Sequence, residues 1–246
     1  MHDWPDATGR YTRETVDTTM AEARRLIADG APAPFWVQAG MQTAGRGRRG
    51  RVWAMPEGNF AATLVLTPPQ PVSDWALRSF TMSLALYDAV DALTGRSDLL
   101  KVKWPNDVLL EGRKLAGILL ESDGDALTIG VGVNLVAGPP RDALDENALE
   151  PTSVLESTGQ RVAPTALLDA LATAHDRWET LLRAEGFAPI RAAWLERAAN
   201  LGRPVTARMP GRTVAGRFET IDETGAIVID TGAGRVTLAA ADLHFA

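Results

Sequence analysis

Hydrophobic positions along this chain change their spacing several times, and each change marks an element. Met20, Ala23 and Ile27 recur at helical intervals from the capping-box pattern Thr19-Met20-Ala21-Glu22, and Gly30 supplies the stop. Phe35-Trp36-Val37-Gln38-Ala39 and Phe60 to Leu66 read as strands, the second ended by Pro68, Pro69 and Pro71. A glycine- and arginine-rich loop from Gly40 to Val52 lies between them. Helical spacing returns from Ser73 to Leu93, with Leu77, Phe80, Leu84 and Tyr87 on one side. Leu99 to Lys103, Val108 to Leu110, Leu115 to Glu121 and Ala126 to Asn134 predict a meander of short strands, separated by Gly-containing turns. A polar, proline-containing connection over 136–152 leads to two helical stretches, 164–185 and 187–199. Residues 1–16 follow neither spacing and read as an irregular leader.

After Leu201 the pattern changes to short alternating segments, Val205 to Arg208, Thr213 to Ile221, Ala226 to Ile229 and Arg235 to Leu238, with glycine turns between them. This predicts an α+β chain: a mixed β-sheet flanked by helices over 1–199, then a small SH3-like β-barrel over 200–246.

Composition narrows the function classes. No apolar run reaches the roughly 18 residues of a membrane span. The N-terminus has no basic and apolar segments of a signal peptide, so a cytoplasmic protein is expected. There is no cysteine, which removes disulfides, thiolate metal sites and a cysteine nucleophile. The formal charge of −6 argues against a general nucleic-acid binder. Of 25 Lys plus Arg, only Lys101, Lys103 and Lys114 are lysines, all in one short stretch. A compact ammonium surviving among arginines points to a site that a planar guanidinium cannot serve.

Three constellations carry candidate chemistry. Gly45-x-Gly47-x-x-Gly50 satisfies a dinucleotide fingerprint, but Val52-Trp53-Ala54-Met55-Pro56 after it is no helix start, so that reading fails on context. Arg46, Arg48, Arg49 and Arg51 then remain in a glycine loop able to close over phosphates; a solvated basic loop and a nucleic-acid contact are the alternatives. Lys103-Trp104-Pro105-Asn106-Asp107 puts a lysine at a strand end, where it can neutralise a carboxylate and an α-phosphate; Asn106 and Asp107 can hold ribose, Mg²⁺ or backbone, or form a plain turn. In Ile129-Gly130-Val131-Gly132-Val133-Asn134, glycines at alternate positions bare one strand face to a flat ligand or another backbone, or mark a bulge.

Taken together and in this order, Gly45-Arg46-Gly47-Arg48-Arg49-Gly50-Arg51-x-Trp53, Lys103 to Asp107, Lys114-x-x-Gly117-Ile118-Leu119 and Gly130-x-Gly132-x-Asn134 resemble the biotin protein ligases. The resemblance covers the chain from about residue 10 and implies a class II synthetase-like catalytic domain, with biotin and ATP as substrates and Mg²⁺ arriving with ATP. It implies biotin contacts from Thr18, Thr19, Gln42, Gly45, Arg46, Gly47, Arg48, Lys103 and Gly117, and ATP contacts from Arg48, Arg51, Trp53, Asn106, Asp107, Lys114, Gly132 and Asn134. Lys103, Arg46 and Arg48 are the implied catalytic groups. The implied acceptor is a lysine of the biotin carboxyl carrier domain of acetyl-CoA carboxylase or a related carboxylase, with no nucleic acid or membrane partner and with a homodimer as a possible assembly. Met20 replaces the Asn usual in the family, Met41 stands before Gln42 where a polar or aromatic residue is usual, and the segment Asp242 to Ala246 lacks an arginine that many relatives place near the nucleotide.

Lipoate–protein ligases share this chemistry. The loop and the Lys103 run favour biotin. A repressor's winged helix of roughly 60 residues is not expected ahead of residue 16. A binding module without catalysis is disfavoured by Lys103, Arg46 and Arg48. His2, His175 and His244 are scattered along the chain, and no protein-held structural metal is expected.

Overall fold

The computed structural model describes residues 4–141, 144 and 148–245; His2, five residues of the 136–152 connection and Ala246 lie outside it. Strands β1 (Gly9–Val16), β2 (Phe35–Gln42), β3 (Phe60–Leu66), β4 (Leu100–Lys103), β5 (Asp107–Leu110), β6 (Arg113–Asp123) and β7 (Ala126–Val133) form one mixed sheet in the order β1-β2-β3-β7-β6-β5-β4. The alternation of side chains along β2 divides the core. Phe35 and Val37 meet Ala23 of helix α1 (Thr19–Ala28) on one face. Trp36 faces the other way, into the apolar layer beneath α2 (Arg78–Thr94) and α4 (Pro164–Glu185). All seven residues of β3 are buried because it is central and covered on both sides.

The expected leader is corrected: β1 pairs parallel with β2, from Gly9 opposite Phe35 to Val16 opposite Gln42. As an edge strand it buries one side only and carries Arg10, Arg13 and Glu14, which hides the strand signal behind charge. Ser73 to Leu93 divides into a short 3₁₀ turn over Val72–Leu77 and α2. A short helix α3 (Val154–Thr158), capped by Ser153, precedes α4, and α5 (Phe187–Arg197) follows it.

Strands β8 (Pro204–Met209), β9 (Arg212–Ile221), β10 (Ile227–Asp230), β11 (Arg235–Leu238) and β12 (Asp242–Phe245) form an antiparallel SH3-like sheet in the order β11-β10-β9-β8-β12. It is pressed onto the larger unit. The Trp104 indole N–H donates to the Gly225 carbonyl at 2.9 Å. At φ +81°, Gly225 occupies a position where a Cβ would stand 2.7 Å from the Phe80 ring, so only glycine fits. Among the described residues no helix is long and apolar enough to cross a membrane.

His175 on α4 is 4% exposed and edge-on to Trp36, and its Nε2 has no hydrogen-bond partner among the described residues. Burial pushes its pKa down to about 4, against the pull of Glu179. An unfolded imidazole titrates near 6.5, so in between the unfolded chain binds a proton that the folded chain refuses. Stability therefore falls as pH drops through that window, by up to about 3 kcal/mol. Urea unfolding at about pH 7 and about pH 4.5 should show a smaller acid loss for His175→Gln than for the parent. Equal losses would mean that His175 does not titrate across the folding reaction.

Candidate functional site

The larger sheet presents a cavity of ≈ 370 Å³ beside the N-terminus of α1, closed by the arginine loop and by β12. Thr18, Thr19, Gln42, Arg46, Gly47, Arg48, Arg51, Trp53, Lys103, Asn106, Asp107, Lys114, Gly117, Gly132 and Asn134 all line it. Of the residues expected at the site, Gly45 alone stands behind the lining. A Cβ there would lie 2.4 Å from the Trp53 carbonyl oxygen, so glycine lets the loop fold back on itself.

One end of the cavity is neutral. Thr18 caps α1, its hydroxyl accepting from the Ala21 N–H at 2.9 Å. Thr19 donates to the Gln42 Oε1 through its N–H at 2.8 Å and its hydroxyl at 3.2 Å, and Thr63 donates to the Thr19 hydroxyl at 2.8 Å. These bonds fix the Gln42 amide with its carbonyl toward α1, which leaves Nε2 as the donor on its other side. Gln42 reaches this position because β2 runs three residues beyond Ala39, the expected end of the strand.

The other end is charged. Lys103 and Asp107 face each other across β4 and β5, and Asp107 lies 3.6 Å from the Lys103 ammonium and 2.8 Å from that of Lys114. Lys103 is 7% exposed and Asp107 8%. Burial depresses the Lys103 pKa, with Asp107 opposing and Lys114 reinforcing the shift. Burial alone would raise the Asp107 pKa, but the Lys114 and Lys103 ammoniums prevail and hold it below the ordinary carboxylate value. Arg48 donates to the Asn106 Oδ1 at 3.1 Å, and Asn106 donates on to the Ile118 carbonyl at 2.6 Å. The turn after Lys103 thus braces a loop arginine. Asn134, 1% exposed, donates to the Thr152 carbonyl at 3.0 Å, while its Oδ1 has no partner among the described residues.

The alternate glycines of β7 receive side chains of the protein itself while still lining the cavity. A Cβ at Gly130 would stand 2.9 Å from the Met20 sulfur, and one at Gly132 would stand 2.4 Å from Cε2 of Trp53. The Trp53 indole reaches from Gly132 to Gly117 on the neighbouring strand, with the Lys114 ammonium 5.8 Å from its centre. Gly132→Val should therefore lift the indole, lower the unfolding free energy by about 1–3 kcal/mol and reduce activity at least tenfold. Thermal unfolding together with an activity assay checks this. Unchanged values for both would show that the indole can move aside without cost.

Sequence reasoning missed β12. Asp242, Leu243 and His244 line the cavity, and the Phe245 ring centre lies 5.6 Å from the Lys103 Nζ. His244 is therefore no stray histidine. Burial depresses its pKa, helped by Arg208 and Lys103. Four residues ending a chain carry too little periodicity to announce a strand, and only the pairing with β8 creates it. Among the described residues no group of three or more His, Cys, Asp or Glu is placed to hold a metal ion.

Residues 12–134 match the biotin/lipoate A/B protein ligase family, and residues 201–243 match the biotin protein ligase C terminal domain. The chain is 49% identical over 235 residues to the biotin–[acetyl-CoA-carboxylase] ligase of Paracoccus denitrificans, covering 94% of this chain and 98% of that one. Its fold resembles that of the biotin protein ligase from Aquifex aeolicus in complex with biotin and ATP, with a TM-score of 0.86 at 23% identity, over 97% and 99% of the two chains. The biotin protein ligase from Leishmania major in complex with biotinyl-5-AMP gives 0.69 at 25% identity, over 96% and 100%. The low identity to the Aquifex protein speaks for the fold alone; the Paracoccus relative and the two matched segments carry the assignment. By these matches the chain belongs to the biotin protein ligase family.

Proposed function

We propose that this protein joins biotin to ATP, forming biotinyl-5′-AMP, and passes the biotinyl group to a lysine of the biotin carboxyl carrier domain of acetyl-CoA carboxylase. The observation that carries this reading is the polarity of the cavity. A neutral hydrogen-bonding end built on Thr19 and Gln42 suits an uncharged ring. The cationic end around Lys103, Lys114 and Arg48 suits a carboxylate meeting a phosphate. The biotin carboxylate oxygen attacks the α-phosphorus of ATP, and the bond to pyrophosphate breaks. The acceptor amine, once deprotonated, then attacks the carbonyl of the mixed anhydride, and AMP leaves. Neither step needs a protein nucleophile; position and charge do the work.

In this reading Lys103, Arg46 and Arg48 stabilise the charge that builds on the α-phosphate, while Thr18, Thr19, Gln42, Gly47 and Gly117 shape the biotin end. Trp53, Asn106, Asp107, Lys114, Gly132, Asn134 and Arg51 belong to the ATP end, and Mg²⁺ enters with the nucleotide. Residues 1–199 form the catalytic domain and 200–246 the small C-terminal domain. The protein acts in the cytoplasm, without a nucleic-acid or membrane partner, and a homodimer is the assembly that the family resemblance suggests. Biotin-dependent exchange of labelled pyrophosphate into ATP tests the first step. Exchange with biotin but not lipoate is the expected result. Exchange with lipoate alone would transfer the chain to the lipoate branch, and exchange with neither acid would leave a binding protein.

A further inference from the structure

The strand missed in the sequence holds the arginine loop in place. Arg49 Nη1 lies 2.6 Å from one carboxylate oxygen of Asp242, and Arg51 Nη2 lies 3.3 Å from the other. The two arginines approach separate oxygens of one carboxylate, from positions 191 to 193 residues away in sequence. Both arginine side chains are about half exposed, at 44% and 46%, whereas the carboxylate is 24% exposed. The carboxylate is thus the better-buried partner, carried on a paired strand, and the arginines reach it from an exposed loop. Asp242 opens β12, which pairs with β8 from Asp242 opposite Arg208 to Phe245 opposite Val205. The same strand brings Phe245 to the Lys103 ammonium, and its sheet is bonded through Gly225 to Trp104, the residue after Lys103.

We propose that Asp242 is a positioning residue that ties the arginine loop to the small sheet, keeping it closed over the cavity so that the acyl-adenylate is retained until an acceptor arrives. The proposal rests on the ligase reading above. The loop's internal bonds, Gly47 N–H to the Arg51 carbonyl at 2.8 Å and Trp53 N–H to the Gly45 carbonyl at 2.9 Å, shape it without fixing its distance from the sheet. Side-chain bonds that do reach across from the loop include Arg48 to Asn106 and the two arginines on Asp242. The tether is half in water, so it biases an equilibrium and does not lock it. An acyl-adenylate is open to water wherever the loop lifts, and a several-fold shift in closure translates directly into leakage.

The test has two arms. Limited trypsin digestion reads the loop without any ligand, since Arg48, Arg49 and Arg51 are themselves cleavage sites. Asp242→Asn should be cut there roughly three- to tenfold faster than the parent, Asp242→Glu should recover most of the protection, and added salt should speed cleavage of the parent more than of Asp242→Asn. Arg49→Gln, read by cleavage after the remaining Arg46, Arg48 and Arg51, should add less in the Asp242→Asn background than in the parent. The second arm compares pyrophosphate exchange with the AMP released by hydrolysis when no acceptor is present. Relative to its own exchange rate, Asp242→Asn is expected to release AMP several-fold faster than the parent. A parent without biotin-dependent exchange would sink the ligase reading, whereas equal digestion and equal leakage in a parent that does exchange would overturn the tether. A lower KM for ATP in Asp242→Asn would also overturn it, because Asp242 would then be a placeholder that the phosphates displace.

Discussion

Lys103→Ala should lower biotin-dependent pyrophosphate exchange by a factor of about 10²–10³ or more while biotin still binds, and Lys103→Arg should not restore it. The expected size is that of removing one preorganised charge-stabilising group from a dry site, about 3–4 kcal/mol. The residue's setting makes the arginine substitution fail as well. Lys103 is 7% exposed, with Asp107 at 3.6 Å and the Phe245 ring centre at 5.6 Å, a setting shaped around a compact point charge that a planar five-donor head does not reproduce. Its ammonium is buried at a cost, and burial depresses its pKa. The incoming carboxylate and α-phosphate supply the negative charge that offsets this. The interaction therefore strengthens as the transition state forms, which is the condition for a group to raise kcat instead of binding alone. Steady-state exchange with both variants checks the expectation. An Arg variant within a few-fold of the parent would show that Lys103 acts as a generic positive charge.

The largest stability effect is expected away from the site. Arg78 on α2 and Glu179 on α4 form an ion pair whose side chains are 1% and 8% exposed, with an Nη2 to Oε1 distance of 2.7 Å. Arg78 also donates to Gln70 at 2.8 Å, and Arg183 lies 3.1 Å from the same Glu179 oxygen. Glu179→Ala leaves the Arg78 guanidinium buried with only an amide beside it, and should cost about 3–5 kcal/mol of unfolding free energy. For a chain of this size that lowers Tm by roughly 10 °C. Arg78→Met combined with Glu179→Leu should recover most of the loss, because two apolar side chains of similar volume leave no uncompensated charge. Thermal unfolding of the single and double variants checks both statements. If the double variant is no more stable than Glu179→Ala, the pair holds α2 and α4 by shape and not by charge balance.

The amino-acid sequence by itself determined most of the elements of this protein. Central strands such as β3 are buried on both faces, so their apolar runs survive in any reading, and α1 announces itself through its helical spacing and stop glycine, although its cap is Thr18 and not Thr19, where the expected capping box began. The glycine loop, the Lys103 run and the spaced glycines were equally legible, because tight turns and bare strand faces admit few residue types. What these groups do to one another was decided only by the tertiary structure. Glycines 130 and 132 could have faced a ligand, a backbone or a bulge; the fold sets them in the cavity wall against Met20 and Trp53. Asp107 could have been a turn residue until β4 and β5 brought it between two lysines. Strand β1 was obscured by its charges, which an edge tolerates, and β12 by its brevity. Asp242 carries no local signal at all. Its partners lie 191 to 193 residues away, and a hydrophobic pattern records which face of an element is buried, never which distant element will cover it.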